Sequence, residues 1–214
     1  LPEPNLDNII VPHKELYSKL KQYFGNHSFD QRFQEIRRET NKVVSYMARE
    51  FEMRKNADQM KRASTAKTGD LDMKRIFSYG FSEDLFKKMT IVPNGKSHGL
   101  VMFLDWSGSM SNHMANTIKQ LVNLVMFCKK VNIPYEVYSF SSEYHEEYRP
   151  DFKAGDIMVR PFKLLNILSS KMSAVEFSTA CSALVNMSHY RSWKPHWMSM
   201  GGTPLSETII SAMK

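Results

Sequence analysis

The apolar run Leu100-Val101-Met102-Phe103-Leu104 ends abruptly on Asp105, and it constrains the fold of this chain more than any other feature. Five consecutive hydrophobic residues between polar ones fit a strand covered on both faces, as in a parallel sheet flanked by helices. Asn116 to Val131 follows with Ile118, Leu121, Val122, Val125 and Cys128 at helical spacing. Asn132-Ile133-Pro134 stops that helix, and Tyr135 to Phe140 is strand-like. Strand, helix and strand in this order make a β-α-β unit, which predicts an α/β protein built on a doubly wound sheet.

The end of the first strand carries the chemistry. Asp105-Trp106-Ser107-Gly108-Ser109 sets one carboxylate and two hydroxyls at alternate positions. Far downstream, Gly201-Gly202-Thr203-Pro204-Leu205 offers a third hydroxyl in a tight loop. Oxygen donors of this kind suit a hard divalent cation. The same residue types also suit a capped turn between strand and helix. Two other chemistries are excluded by the spacing. A phosphatase of the D-x-D type needs a carboxylate where Ser107 stands, and a G-x-S-x-G elbow is broken at Gly108-Ser109-Met110-Ser111. Gly95-Lys96-Ser97 is not a nucleotide loop, because Thr90 stands where the first glycine belongs. His98, His113, His145, His189 and His196 show no i, i+4 pair, and no H-E-x-x-H or C-x-x-C accompanies them. Trp106 reads as a rim or packing aromatic.

Elsewhere the pattern is helical. Residues 1–12 are Pro-rich and read as an extended arm. His13 to Phe24 spaces Leu16, Leu20 and Phe24 on one face, and Gly25 to Ser28 stops that helix and caps the next. Phe29 to about Met60 repeats Phe29, Phe33, Ile36, Thr40, Val43, Met47 and Phe51 at steps of three and four. That spacing fits a helix packed on its own domain or a partner coiled coil. Ala63 to Thr68 reads as a connector, and Thr68 to Asp72 as a turn into a helix with Met73, Ile76 and Phe77. Leu85 to Val92 is strand-like, as is Phe162 to Leu168. Ser173 to Tyr190 is helical, Arg191 to Met200 a loop, and a last helix starts at Pro204, a favoured first position.

The chain has 214 residues, 42% of them hydrophobic, enough to bury a core. No apolar run reaches the ~18 residues of a membrane helix, which predicts no membrane partner. Two cysteines, Cys128 and Cys181, cannot frame a disulfide scaffold and read as reduced core residues, so a cytoplasmic location is expected. The formal charge is +7. Nine basic and six acidic residues mix between Asp30 and Arg62, a solvated face and not a phosphate track, so no nucleic-acid partner is expected. The 15 methionines read as core filler.

Asp105, Ser107, Ser109 and Thr203 resemble the first four ligand positions of the metal-ion-dependent adhesion site of von Willebrand factor A domains: D-x-S-x-S, a distant Thr, then a distant Asp. The resemblance covers roughly 98–214 and implies an A-type, Rossmann-like sheet with Mg²⁺ or Mn²⁺ at the site. Arg62 to Asp72, with the long helix before it, is similar to the larger, non-ATPase subunit of aerobic cobaltochelatase and to cobaltochelatase-like proteins of large tailed phages. This extends the resemblance over 29–97; residues 143–200 match least. The organisation expected is an arm and short helix over 1–28, a helical extension and connector over 29–97, and the A-type domain over 98–214. The family's final acid follows another strand beyond the last helix, so the chain is expected to be a C-terminally incomplete piece of a longer protein. The partner implied is an AAA+ ATPase of the cobaltochelatase small-subunit or MoxR type. No residue shows an evident catalytic role. Three functions are compatible with this resemblance: a metal-dependent interaction subunit, a cobaltochelatase subunit that inserts metal into a tetrapyrrole, and a phage structural protein that keeps the fold. Because Asp105 is the single charged ligand in view, an acidic side chain of a partner protein is expected to complete the ion.

Overall fold

A computed structural model describes residues 5–24, 30–62, 64–74, 77, 80–81, 86–91, 99–141, 162–189, 194–198 and 200–213. Two compact units are present, one of residues 1–45 with 98–214 and one of 46–97. The described residues form an α/β protein with six α-helices.

In the first unit, β1 (Ile10–Val11), β4 (Leu100–Leu104), β5 (Tyr135–Ser141) and β6 (Lys163–Ser169) make a four-stranded sheet in the order β1-β6-β5-β4. β4 and β5 are parallel, with Leu100 opposite Tyr135 and Leu104 opposite Ser139. Helix α4 (Met114–Lys130) joins them, which completes the expected β-α-β unit. β5 and β6 are antiparallel, and β6 and β1 parallel. The sheet is therefore mixed, where the apolar pattern predicts a parallel one. Its strand order is compatible with a Rossmann-like fold.

Two corrections follow. The arm of residues 1–12 contains helix α1 (Leu6–Ile9) and then adds Ile10 and Val11 to the edge of β6, against Leu164 and Leu165. Strand β4 lies at the edge of the described sheet, with Val101 57% and Phe103 38% exposed. Its apolar run predicts burial on both faces, but the main core covers one. That core joins Leu104, Tyr135, Val137, Leu165 and Leu168 to Leu16 and Leu20 of α2 (His13–Phe24). It also takes in Ile118, Val122 and Val125 of α4, and Ala180, Cys181 and Leu184 of α5 (Ala174–His189). On the other face a smaller cluster of Phe140, Phe162 and Leu164 packs against Ile9 and Ile10. Phe103 there stacks on Tyr138 at 5.9 Å between ring centres. Both cysteines are free and buried.

Helix α3 (Asp30–Arg62) begins in the first unit and ends in the second. Its buried side chains include Phe33, Thr40 and Val44, whereas Val43, Met47 and Phe51 are exposed. The heptad seam read from the sequence therefore turns away from the packed face; a straight helix at 3.6 residues per turn drifts off a 3.5-residue repeat. Three contacts fasten α3 to α4: Lys119 Nζ to Glu39 Oε2 at 2.6 Å, Thr40 Oγ1 donating to Asn123 Oδ1, and Lys130 Nζ donating to Ser45 Oγ at 2.7 Å.

In the second unit, β2 (Ser64–Leu71) pairs antiparallel with β3 (Phe86–Ile91), with an irregularity between Lys67 and Leu71. β3 agrees with the strand-like reading. β2 replaces both the connector over Ala63 to Thr68 and the turn at Thr68 to Asp72. Its composition lacks apolar alternation, and pairing with β3 supplies the backbone partners that local sequence does not advertise. Ile76 of the expected helix lies outside the described residues, as does Gly95-Lys96-Ser97. Among the described residues no helix is long and apolar enough to cross a membrane.

Candidate metal centre

Strand β4 stops at Leu104 and delivers Asp105 to the end of the sheet. Asp105 Oδ1 accepts the backbone N–H of Ser107 at 3.0 Å, a local turn typical of Asp. That bond holds the carboxylate over the Ser107-Gly108-Ser109 backbone. A 3-10 turn over Gly108–Asn112 then leads into α4. Within it the Ser107 and Ser109 hydroxyl oxygens lie 2.9 Å apart. Ser107 is buried, Asp105 half-buried and Ser109 exposed, so the oxygens run from the interior to the solvent.

The distant loop reaches the same place. Ser107 forms a parallel bridge with Gly201, and Gly108 N–H donates to Gly201 O at 3.4 Å. A glycine permits such a close backbone approach. Thr203 follows two residues later, exposed, in the turn closed by Leu205 N–H on Thr203 O at 2.8 Å. Pro204 is the N-cap of α6 (Leu205–Ala212), one residue ahead of the first helical position expected for it. Asp105, Ser107 and Ser109 are thus joined by hydrogen bonds, and the strand end carrying them is paired with the loop that bears Thr203.

Trp106 is a packing residue that the sequence places correctly while leaving its partner unseen. It is almost fully buried, and its Nε1–H donates to Met198 O at 2.8 Å. This bond and the Gly201 bridge staple Met198 and Gly201 to the end of β4. Lys194 Nζ lies 5.4 Å from the Trp106 ring centre, a cation–π contact beside the site. The one sequence signal for this staple is the pair of glycines ahead of Thr203.

His113 is exposed at the start of α4, where its backbone O accepts from Thr117. His189 Nδ1 lies 2.9 Å from Val185 O on its own helix. His98 and His145 lie outside the described residues, and of His196 only the backbone is described. Among the described residues no three His, Cys, Asp or Glu side chains come together.

The donor set is one carboxylate and neutral hydroxyls. Adjacent oxygens around an octahedral Mg²⁺ with ~2.1 Å bonds lie ~3 Å apart. The Ser107–Ser109 oxygen separation of 2.9 Å is that of a hydrogen bond and is also close to such an edge. The chemistry of the donors and this spacing both fit a hard cation. Comparison with known proteins gives no match to a family model, a curated protein or a solved structure.

Proposed function

We propose that the chain is a metal-ion-dependent protein-interaction subunit of the von Willebrand A type, cobaltochelatase-like, that works beside an AAA+ ATPase in the cytoplasm. The observation that supports it most is the hydroxyl pair of Ser107 and Ser109, 2.9 Å apart beside the Asp105 carboxylate. Asp105, Ser107, Ser109 and Thr203 would hold the Mg²⁺ or Mn²⁺ ion. When bound, the ion supplies a Lewis-acidic contact for an acidic side chain of the partner.

The chain's own residues do the rest. Asp105, fixed by the Ser107 N–H, supplies the one negative charge. Ser107 and Ser109 supply neutral oxygens already at ligand spacing, so little reorganisation precedes binding. The Gly201 bridge and the Trp106–Met198 bond keep the Thr203 loop against the strand end. A divalent ion held by one carboxylate keeps positive charge, and that residual charge selects a carboxylate-bearing partner. The test is a Mn²⁺ titration of the protein followed by electron paramagnetic resonance. Saturable binding is expected in the wild type and its loss in Asp105→Ala. Equal Mn²⁺ affinity in both proteins would sink the reading.

A further inference from the structure

Helices α3, α4 and α5 border a groove that does not include Asp105 in its lining. Phe33, Val44, Met126 and Phe177 line a cavity of about 280 Å³, together with Arg37, Lys129 and Lys130. Phe33 and Phe177 meet edge to face at 6.5 Å and are buried, as is Val44. The cations are exposed. Two of them are held in place. Lys129 Nζ sits 4.4 Å over the Phe177 ring, and Lys130 Nζ donates to Ser45 Oγ at 2.7 Å. Among the described residues the cavity lining includes no acidic side chain, and no carboxylate pairs with these three cations.

The neighbouring acids are engaged elsewhere. Glu39 pairs with Lys119, and Glu176 accepts the Ser173 N–H at 2.8 Å. Three like charges around one groove repel each other, and an anion would relieve that repulsion. Lys129 and Lys130 also favour the last turn of α4, but that role does not call for Arg37 on a different helix. A buried aromatic floor with an exposed cationic rim matches a molecule with an apolar body and an acidic head. The cavity volume falls near the lower limit for small-molecule sites, which sets the size of that body at about one ring. A phosphate monoester carries close to two negative charges at neutral pH and offers three acceptor oxygens to three cationic side chains.

We infer that this groove binds a small organic phosphate monoester, its phosphate held by Arg37, Lys129 and Lys130 and its apolar body set against Phe33 and Phe177. The inference stands independently of the Asp105 site. The probe is phenyl phosphate, titrated against the whole chain by calorimetry at near-physiological salt. Saturable binding is expected, tighter than that of benzoate, which has one charge, and tighter than that of inorganic phosphate, which has no ring. Arg37→Ala and Lys130→Ala should each weaken it about tenfold or more, the effect of losing one charge-assisted contact. Lys119→Ala removes the same charge from a surface position outside the lining and should leave affinity within about twofold. Arg37 and Lys130 are exposed and Lys119 is half-buried, and circular dichroism checks that each variant is folded. No saturable binding up to ~10 mM, equal affinity for inorganic phosphate or benzoate, or an equal loss in Lys119→Ala would each overturn the inference.

Discussion

At the scale of single residues, Asp105 and Trp106 are neighbours with opposite roles. The Asp105 carboxylate is half-buried and, among the described residues, bonds the backbone N–H of Ser107, a local contact whose loss should leave the fold intact. Asp105→Ala should abolish partner binding that depends on Mg²⁺ or Mn²⁺, with the circular dichroism spectrum unchanged. Ser107→Ala should weaken that binding less, because water can replace one neutral ligand. The readout is affinity for the proposed AAA+ partner with the ion and with EDTA; full affinity in folded Asp105→Ala would move the contact away from this strand end. Trp106 is inverted in character, since its indole is buried and its N–H satisfies Met198 O. Trp106→Phe leaves that carbonyl without its donor, at a cost of ~1–3 kcal/mol. A urea midpoint that does not fall would mean that the staple contributes nothing to stability. The Mn²⁺ affinity of the same variant then reports whether the staple serves the site.

At the scale of elements, α4 shows how a helix end aims a strand. Its C-cap is Val131, and Asn132 follows with φ of 55°, the left-handed region. Ile133 N–H then reaches back to Cys128 O at 2.9 Å, the long bond of a Schellman closure. Pro134 O accepts the Leu100 N–H at 2.8 Å and so registers β5 beside β4. Asn tolerates this backbone better than a β-branched residue does. Asn132→Val should therefore lower the unfolding free energy by ~1–2 kcal/mol, and Asn132→Gly should leave it within ~0.5 kcal/mol. Equal urea midpoints for Val and Gly would refute the strain argument. This element also shows what a sequence can reveal. Helix α4 and its strands are legible because the apolar spacing, the Asn-Ile-Pro stop and the Asp105 break are all local signals. Strand β1 is invisible, since two residues inside a Pro-rich arm gain their state only by pairing with distant Leu164 and Leu165. β2 fails for the same reason, its Ser-Thr-Ala-Lys composition resting on β3 for partners. The site divides likewise: Asp105, Ser107 and Ser109 are a motif, whereas the Trp106–Met198 bond spans 92 residues and leaves no pattern to read.

At the scale of the whole molecule, the main core ties α2, the start of α3, α4, α5 and three strands into one cluster, and both thiols lie inside it. Burial pushes the Cys181 thiol well above its ordinary range, with Lys129 pulling weakly the other way. Burial also raises Cys128, and it raises the Tyr135 hydroxyl together with the nearby Cys181, Cys128 and Glu136 charges. These groups are neutral when protonated, so the folded protein keeps protons that the unfolded chain releases. Their folded pKa values lie above the unfolded ones. Their contribution is thus complete below the unfolded thiol value of ~8.5 and declines as pH rises past it. Stability should then hold level through neutral pH and drop from about pH 8.5 upward. Cys181, fully buried, should account for ~2 kcal/mol of loss by about pH 10. Tyr135 adds to the decline above ~10. Urea midpoints taken from neutral to alkaline pH measure this slope, and Cys181→Ala separates its source. The variant starts lower because it opens a small cavity, yet its curve should be flatter between pH 8.5 and 10 by about one proton's worth, ~1.4 kcal/mol per pH unit. A variant that loses stability as steeply as the wild type would show that the alkaline weakness does not come from the Cys181 thiol.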